Sequence, residues 1–300
     1  MIKETSFKNS FGDSLFGNEW IIDKPKGVVI IVTGMAEHSE RYNDFALFLN
    51  KHYMNVISID CYGQGKNGNL GHGASGFFSK FTKTVDEIAL KMKDKYNLPI
   101  YLFAHSMGSF IAQSYIENYH NIDKIVICGT NYMGAMGVLG FLVAKIVVRK
   151  NNKEKPAGLL NNLAIGAYEK SCKDEDSKNA WLSYNKENYH AYDKDSLSGY
   201  HCSNGFYYEF TKGLASLNKK EKLKGINKNL PILIIGGDHD VVGKNGVGPT
   251  KLNELYHKYN LNSELIIYKN MKHEILNEDD KMNVYKDIVN FYKTKANSTY

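Results

Sequence analysis

The chain has 300 residues, of which 43% are hydrophobic and 23% are charged. This length and apolar content suit one sizeable domain with a buried core rather than a low-complexity or repeat protein. The formal net charge is +6, and it is carried by scattered lysines, so the charge indicates a solvated surface with weak attraction to anionic lipids and no nucleic-acid partner.

Short apolar and aromatic pieces separated by turn residues occupy positions 6–22, and they predict an antiparallel hairpin at a sheet edge. The residues before them lack the apolar core of a secretory leader, so we expect a cytoplasmic protein. The glycosylation sequence at 297–299 means little without secretion. The cysteines have no metal-site spacing, and we expect them to be reduced: Cys61, Cys128, Cys172 and Cys202.

Beyond the hairpin, apolar runs alternate with helix-like stretches, which predicts a mostly parallel sheet covered by helices. The glycines at 63–65 lack the spacing of a phosphate-binding loop, and no dinucleotide fingerprint stands at the first of these strands, so we expect no nucleotide cofactor. The runs that we predict as strands are 27–32, 100–103, 124–128, 231–235 and 264–268.

Residues 104–108 read AHSMG between the apolar run at 100–103 and an amphipathic stretch. This pattern predicts a strand, a sharp turn and a helix, with Ser106 presented at the apex as a nucleophile. Strand and helix approach closely there, so the flanking residues must be small. Gly108 meets that demand, and Ala104 departs from the usual glycine by one methyl group. A match of five residues is informative only when the strand-turn-helix context and the catalytic partners are also found in the sequence.

The segment at 133–148 is almost wholly apolar, and an aromatic-rich stretch follows it. The apolar segment is shorter than the roughly 20 residues that a membrane span needs. A helix buried between two parts of the protein is the favoured interpretation, and a helix that contacts an acyl chain or a lipid surface is the alternative. Both hold if one helix face is buried and the other lines a tunnel.

A serine hydroxyl needs a base, normally a histidine that is held by a carboxylate. On this architecture the acid and the histidine follow the serine along the chain. Asp238 and Asp240 both follow the predicted strand at 231–235 and compete for the acid role. A metal site at 238–240 is disfavoured because no further spaced ligands accompany it.

His273 follows the predicted strand at 264–268 and is the favoured base, because His257 lies in a segment that reads as a surface helix. The reaction also needs donors for a developing oxyanion. We expect these to be the backbone N–H of Met107, directly after the nucleophile, and that of Met35, in the loop after the strand at 27–32.

Five segments together resemble the monoacylglycerol lipase and lysophospholipase branch of the α/β-hydrolases. The resemblance runs from about residue 27 to about residue 292, and its departures at Thr33, Tyr62 and Gln64 affect loop-supporting positions. In the branch the second acid of the fourth motif is catalytic, which favours Asp240. The segments are 33–42 (TGMAEHSERY, against HG-x-x-EHS-x-RY), 60–65 (DCYGQG, against D-x-RGHG), 104–108 (against GHSMG), 237–243 (GDHDVVG, against G-x-x-DPVG) and 271–278 (MKHEILNE, against HE-x-x-NE).

The resemblance implies an α/β-hydrolase fold: a mostly parallel central sheet, flanking helices and a helical cap insertion. We expect residues 1–131 and 218–300 to form the core and residues 132–217 to form the cap. The implied activity is hydrolysis of carboxylic esters of single-chain lipids, monoacylglycerols or lysophospholipids, through an acyl-enzyme. Ser106 would be the nucleophile, His273 the base and Asp240 its partner, with no metal or organic cofactor.

The partner that this activity implies is a small lipid ester, with transient contact of the cap with a membrane surface. A short-chain carboxylesterase and an acyltransferase are alternatives, and a catalytically silent lipid-binding module is an alternative of another class. Dehalogenases and epoxide hydrolases are disfavoured, because they carry aspartate where Ser106 stands. The sequence leaves the oligomeric state open.

Overall fold

The computed structural model describes residues 2–294, and the glycosylation sequence at 297–299 lies outside this range. Within it, eight strands form a single sheet. The strands are β1 (Ile2–Lys8), β2 (Ser14–Trp20), β3 (Gly27–Val32), β4 (Met54–Ile59), β5 (Ile100–His105), β6 (Lys124–Cys128), β7 (Ile232–Gly237) and β8 (Ser263–Tyr268).

Helices follow or connect most of the strands. In chain order they are α1 (Asn43–Lys51), α2 (Phe77–Tyr96), α3 (Met107–Asn118), α4 (Gly134–Val147), α5 (Gly158–Ala164), α6 (Gly166–Ser171), α7 (Lys186–Lys194), α8 (Asn204–Ser216), α9 (Lys220–Gly225), α10 (Val247–Lys258) and α11 (Lys281–Lys293).

The strand order is β1-β2-β4-β3-β5-β6-β7-β8. The pairs β1–β2 and β2–β4 are antiparallel, and every later pair is parallel. The predicted edge hairpin is therefore confirmed, although its first strand begins earlier, at Ile2. The α/β-hydrolase fold with a mostly parallel sheet and flanking helices is also confirmed.

Strand β3 shows why the central strands read as unbroken apolar runs. Side chains alternate between the two faces of a strand, and both faces of this sheet are covered by helices. Val28 and Ile30 lie in the core that contains buried residues of α2 and α3. Val29 and Ile31 lie in the opposite core, with residues of α1 and α11. A strand that is buried on both faces has polar side chains only where they find hydrogen-bond partners, as Asn55 Oδ1 and Ser58 Oγ of β4 do.

The parallel strands direct the segments that follow them to one edge of the sheet, because their carboxyl ends point the same way. The loop at 33–38 follows β3, Ser106 follows β5, residues 129–131 follow β6, and residues 238–240 follow β7. The loop at 269–273 follows β8. Every candidate catalytic residue therefore lies at this edge.

Helices α4 to α8 lie within the segment at 132–217, between β6 and β7. Helix α8 packs on α2 of the core, with the rings of Phe77 and Phe206 stacked at 4.7 Å. Helix α4 packs on α8 where Gly137 lies against the main chain of Leu214. The division of the chain into a core and a cap at residues 132 and 217 stays a prediction.

The expectation that the apolar helix is buried is wrong. Only Gly137 and Ala144 of α4 are buried, whereas Met136 is 57% exposed and Ile146 is 68% exposed. Close packing of α4 uses the small residues of one side, so its large side chains face other directions. Across residues 2–294, no helix combines the length and the apolarity that a membrane crossing requires. The four cysteines are buried free thiols.

The close approach of α3 to the sheet can be tested at Gly108. A Cβ there would overlap the main-chain oxygens of Val32 and Thr33, the latter at 2.6 Å. These are backbone atoms that cannot rotate away, so we expect Gly108→Ala to lower the free energy of unfolding in urea by about 2 kcal/mol or more. The control is Gly236→Ala in β7, whose Cβ would have its nearest neighbour at 3.8 Å. Equal effects of the two substitutions would contradict the argument.

Candidate active site

Ser106 occupies the turn between β5 and α3 with φ 52° and ψ −119°. A positive φ is uncommon for a residue with a side chain, and such strain is concentrated at functional sites. The turn is held by three hydrogen bonds. Ser106 N–H donates to the Cys128 oxygen at 3.0 Å, and the Ser106 oxygen accepts from Ser109 N–H at 2.9 Å and from Ser109 Oγ at 2.6 Å. The structure therefore has the predicted strand, turn and helix, with Ser106 at the apex.

The structure pairs His273 with Asp240 and not with Asp238. His273 Nδ1 lies 3.0 Å from Asp240 Oδ1, and each residue is only 1% exposed. The same carboxylate oxygen accepts the N–H of Val242 at 2.9 Å, which holds it in place. Asp238 is half-buried and lies beside His239, and His257 is exposed at the end of α10. Neither of these two residues joins the pair.

The second ring nitrogen of His273, Nε2, is buried and has no hydrogen-bond partner among residues 2–294. It therefore makes no hydrogen bond to Ser106 Oγ, although both residues line the same cavity. Hydrogen bonds between a nucleophile and its base are often long before substrate binds and tighten in the complex. His273 Nε2 is therefore free to accept the proton of the Ser106 hydroxyl.

Two neighbouring rings and a glycine lie close to the His273 ring. The Trp181 ring lies 5.3 Å away and the His105 ring 4.7 Å away, between centroids. Gly129, with φ +59°, passes so close that a Cβ there would lie 3.0 Å from the His273 ring. A side chain at this position would be strained and would displace the imidazole, so the tight turn after β6 requires glycine.

The loop after β3 passes directly beside the serine. A Cβ on Gly34 would lie 3.1 Å from the Ser106 Cβ, so only glycine fits there without displacing the turn. Met107 is the first residue of α3, and its N–H consequently has no acceptor within the helix. Met35 and Met107 both line the cavity that Ser106 lines. Their N–H groups are candidates for the two donors that a developing oxyanion needs.

A buried charge network lies behind the site. Arg41 bridges two carboxylates: its Nη1 donates to Glu37 Oε2 at 2.7 Å, and its two Nη atoms donate to the two oxygens of Glu274 at 2.7 Å each. Glu37 also accepts the N–H of Gly34, and His105 Nδ1 lies 3.4 Å from its Oε1. The network links the loop after β3, the turn at Ser106 and the loop that holds His273.

Sequence reasoning assigned no role to these charged residues, although three of them stand in the motifs at 33–42 and 271–278. A run of charged residues next to buried strands is the pattern that could have identified them, since buried charges are nearly always paired.

The network shifts the pKa values of its members. Burial alone raises the pKa of the Glu37 carboxyl, but the hydrogen bond with His105 and the charge of Arg41 outweigh it and lower that pKa to about 2. Burial likewise opposes ionisation of Glu274, and Arg41 lowers the pKa of this carboxyl as well. Burial disfavours the charged form of His105, yet Glu37 raises its pKa above 6.5. The carboxylates are therefore ionised at neutral pH.

Ser106 and His273 open onto a cavity of about 510 Å³. Most of the cavity lining is apolar, and most of the apolar lining residues belong to the segment at 132–217. Among the described residues, no group of three or more His, Cys, Asp or Glu side chains is arranged to hold a metal ion. The apolar lining includes Met133, Met136, Leu139, Val143, Leu160, Leu163, Ala164, Ile165, Phe210 and Leu214.

The profile of a family described as serine aminopeptidase, S33, matches residues 23–280. A monoacylglycerol lipase of Mycolicibacterium smegmatis is 25% identical over 97% of this chain and 98% of its own length. A putative monoglyceride lipase of Schizosaccharomyces pombe is 32% identical over 34% of this chain and 28% of its own length. The resemblance to monoacylglycerol lipases and lysophospholipases is thereby confirmed.

A crystal structure of a thermostable carboxyl esterase from Bacillus coagulans superposes with a TM-score of 0.88. It is 24% identical and covers 97% of each chain, so the likeness concerns the fold alone.

The charge network predicts a specific dependence of stability on pH. The pKa of Glu37 falls from 4.5 to about 2 on folding, so its ionisation stabilises the fold above pH 4.5, and this contribution is lost as the pH falls toward 2. We expect Glu37→Gln to lower the free energy of unfolding at pH 7 by about 3 kcal/mol, because Arg41 loses a buried partner. The difference from the wild type should shrink between pH 4.5 and pH 2 in denaturant titrations.

The control is Glu221→Gln, which removes an exposed carboxylate paired with Lys224 at 3.5 Å. Exposed ion pairs contribute little, so this variant should follow the wild type at every pH. A Glu37→Gln deficit that is constant with pH would contradict the assignment.

Proposed function

The chain belongs to the serine aminopeptidase S33 family of α/β-hydrolases, and we propose that it hydrolyses the carboxylic ester of a single-chain lipid, a monoacylglycerol or a lysophospholipid. The observation that carries the proposal is that Ser106 and His273, which is paired with Asp240, line one large cavity, and that the lining of this cavity is mostly apolar. The names of the relatives, which include monoacylglycerol and monoglyceride lipases, support the same substrate class.

The proposed reaction begins when Ser106 Oγ attacks the ester carbonyl carbon while His273 Nε2 takes the hydroxyl proton. Asp240 orients the imidazole and stabilises its positive charge through Nδ1. The N–H groups of Met35 and Met107 bind the negative oxygen of the tetrahedral intermediate. Its collapse forms the acyl-enzyme and releases the alcohol, which receives its proton from His273. Water, activated by the same histidine, then releases the fatty acid.

The cavity supports a lipid acyl group over a small acid. Its volume of about 510 Å³ falls within the range of about 300–1,000 Å³ that is typical of small-molecule sites. Burial of acyl methylenes against apolar walls contributes about 0.8 kcal/mol per CH₂, so affinity should rise with chain length until the cavity is full. A short-chain carboxylesterase would show no such rise, and an acyltransferase would favour alcohols over water as the acceptor.

Peptide hydrolysis, which the family description names, is less well supported. An aminopeptidase must bind the free amino group of its substrate, normally with an unpaired carboxylate. Three glutamates line the cavity: Glu37 and Glu274 are already paired with Arg41, which leaves Glu169 as the single unpaired carboxylate of the described lining. Turnover of amino-acid amides, with esters left intact, would favour the peptidase.

We further propose that residues 132–217 act as a cap, over a core of residues 1–131 and 218–300, and that this cap contacts a lipid surface. Several exposed side chains also line the cavity, so the exposed apolar surface continues into it. Exposed basic residues lie at the end of α4 and beyond it, Lys145, Arg149 and Lys150, and they suit anionic lipids. The exposed apolar side chains are Met136, Val138, Leu139, Leu142, Ile146, Leu159 and Leu163.

The mechanism is tested by reaction of the wild type and Ser106→Ala with a fluorophosphonate, followed by assay of p-nitrophenyl esters of increasing chain length. We expect labelling and turnover in the wild type only. Asp240→Asn should lower kcat by about 10³-fold or more, because the imidazolium loses its partner. Asp238→Asn is the matched control and should retain most turnover. A folded wild type that does not react would favour the silent lipid-binding module.

The lipid contact is tested with Leu142→Glu, which places a charge on an exposed side chain of α4 that does not line the cavity. We expect weaker binding to anionic phospholipid vesicles and slower hydrolysis of substrate embedded in them, with unchanged hydrolysis of a soluble short-chain ester. Leu90→Glu is the control, since Leu90 is similarly exposed on α2, at 44% against 50%. Equal vesicle binding by both variants would contradict the proposed contact.

A further inference from the structure

Gln64 is fully buried and directs its side chain at the loop beside the serine. Its Nε2 donates to the main-chain oxygen of Gly34, and its Oε1 has no hydrogen-bond partner in the part of the chain that the structure describes. An unpaired buried oxygen is unfavourable. The hydrogen bond from Gln64 Nε2 to Gly34 is therefore retained at the expense of an unpaired Oε1.

The bond to the Gly34 oxygen has a direct consequence for Met35. The carbonyl of Gly34 and the N–H of Met35 belong to the same peptide unit, which is planar and trans, so the two groups point in opposite directions. A donor that fixes the direction of the Gly34 oxygen consequently fixes the direction of the Met35 N–H. Gln64 thereby orients the Met35 N–H, one of the two proposed oxyanion donors, without contacting it directly.

Ala36, the residue that follows Met35, is held by hydrogen bonds from the segment at 132–217. Ala36 has φ 55°, a left-handed conformation that is unfavourable for alanine. Its carbonyl oxygen accepts two hydrogen bonds, from the hydroxyl of Tyr192 and from the N–H of Gly199, each at 2.9 Å. The Tyr192 ring in turn lies against the Arg41 guanidinium, 4.7 Å from the ring centroid. Two donors on one carbonyl hold the strained residue in place.

We propose that Gln64 and Tyr192 are positioning residues that aim the Met35 N–H at the oxyanion, Gln64 from the core and Tyr192 from the segment at 132–217. The inference rests on the proposed function, because it requires an oxyanion on the carbonyl that Ser106 attacks. Their effect is specific to the transition state. The negative oxygen needs the N–H in a narrow range of directions, whereas the acyl chain in the cavity does not.

The experiment compares Gln64→Met and Tyr192→Phe, which remove one donor each and keep similar side-chain volume. Loss of a complete oxyanion donor lowers kcat by about 10²–10³-fold, so a misdirected one should lower it by about tenfold or more while KM changes less than about twofold. Affinity for an alkyl trifluoromethyl ketone, whose adduct with Ser106 carries an oxyanion, should fall by the same factor. Affinity for the matching fatty alcohol, which forms no adduct, should stay the same.

Tyr189→Phe is the matched control. Tyr189 lies on the same helix α7, is fully buried, and donates its hydroxyl to Asp176 at 2.6 Å, away from the loop beside the serine. This variant loses an equivalent hydrogen bond, so any general loosening of α7 should appear in it as well. Gln64→His is the conservative rescue, because a histidine retains an N–H donor, and it should recover most of the kcat that Gln64→Met loses.

The inference is overturned if folded Gln64→Met and Tyr192→Phe keep wild-type kcat and ketone affinity, or if Tyr189→Phe loses as much as Tyr192→Phe. If Gln64→Met does not fold, Tyr192→Phe decides the question with the same criteria. A folded wild type that neither hydrolyses esters nor binds the ketone would instead refute the proposed function, and the inference would fall with it.

Discussion

The buried ion pairs of Arg41 are the interaction on which the rest of the candidate site depends. Burial of three charges is expensive, and it is tolerated only when each charge finds its partners with good geometry. Arg41 satisfies Glu37 and Glu274 at once, over separations of 4 and 233 residues along the chain. Glu37 then holds the loop beside the serine, and Glu274 directly follows His273. One guanidinium group thus connects the loops after β3 and β8.

The segment at 132–217 takes part in this arrangement as well as lining the cavity. Asn188 on α7 donates to Glu274 at 2.7 Å, and the Tyr192 ring covers Arg41. Helices α4 and α5 make no comparable polar contact with the loops at the sheet edge, and they carry large exposed apolar side chains. The segment therefore has a part that is bonded to the active-site edge and a part that faces solvent and the cavity.

Much of the fold could be predicted because its rules are local. The strands β3 and β6 have the predicted bounds, since a strand buried on both faces is mostly apolar. Strand β4 was not predicted, because the buried polar residues Asn55 and Ser58 interrupt its apolar pattern. The turn at Ser106 was predicted because close packing of strand and helix allows only small neighbours there. The burial of α4 was predicted wrongly. An apolar helix can face a core, a cavity or solvent, and which of these it faces depends on tertiary packing rather than on the sequence of the helix.

The sequence by itself determined the edge hairpin, five of the six strands that follow it, the strained turn and a short list of candidate groups, because each depends on residues that are close along the chain. It left Asp238 and Asp240 as competitors, and only a family resemblance favoured the second. The tertiary structure favours Asp240, because this residue lies 3.0 Å from the His273 ring although the two are 33 residues apart along the chain. It also assembled the Arg41 network and the two donors on Ala36. Hydrogen bonds and ion pairs act over a few ångströms, so long-range partners are defined only once the sheet brings its loops to one edge.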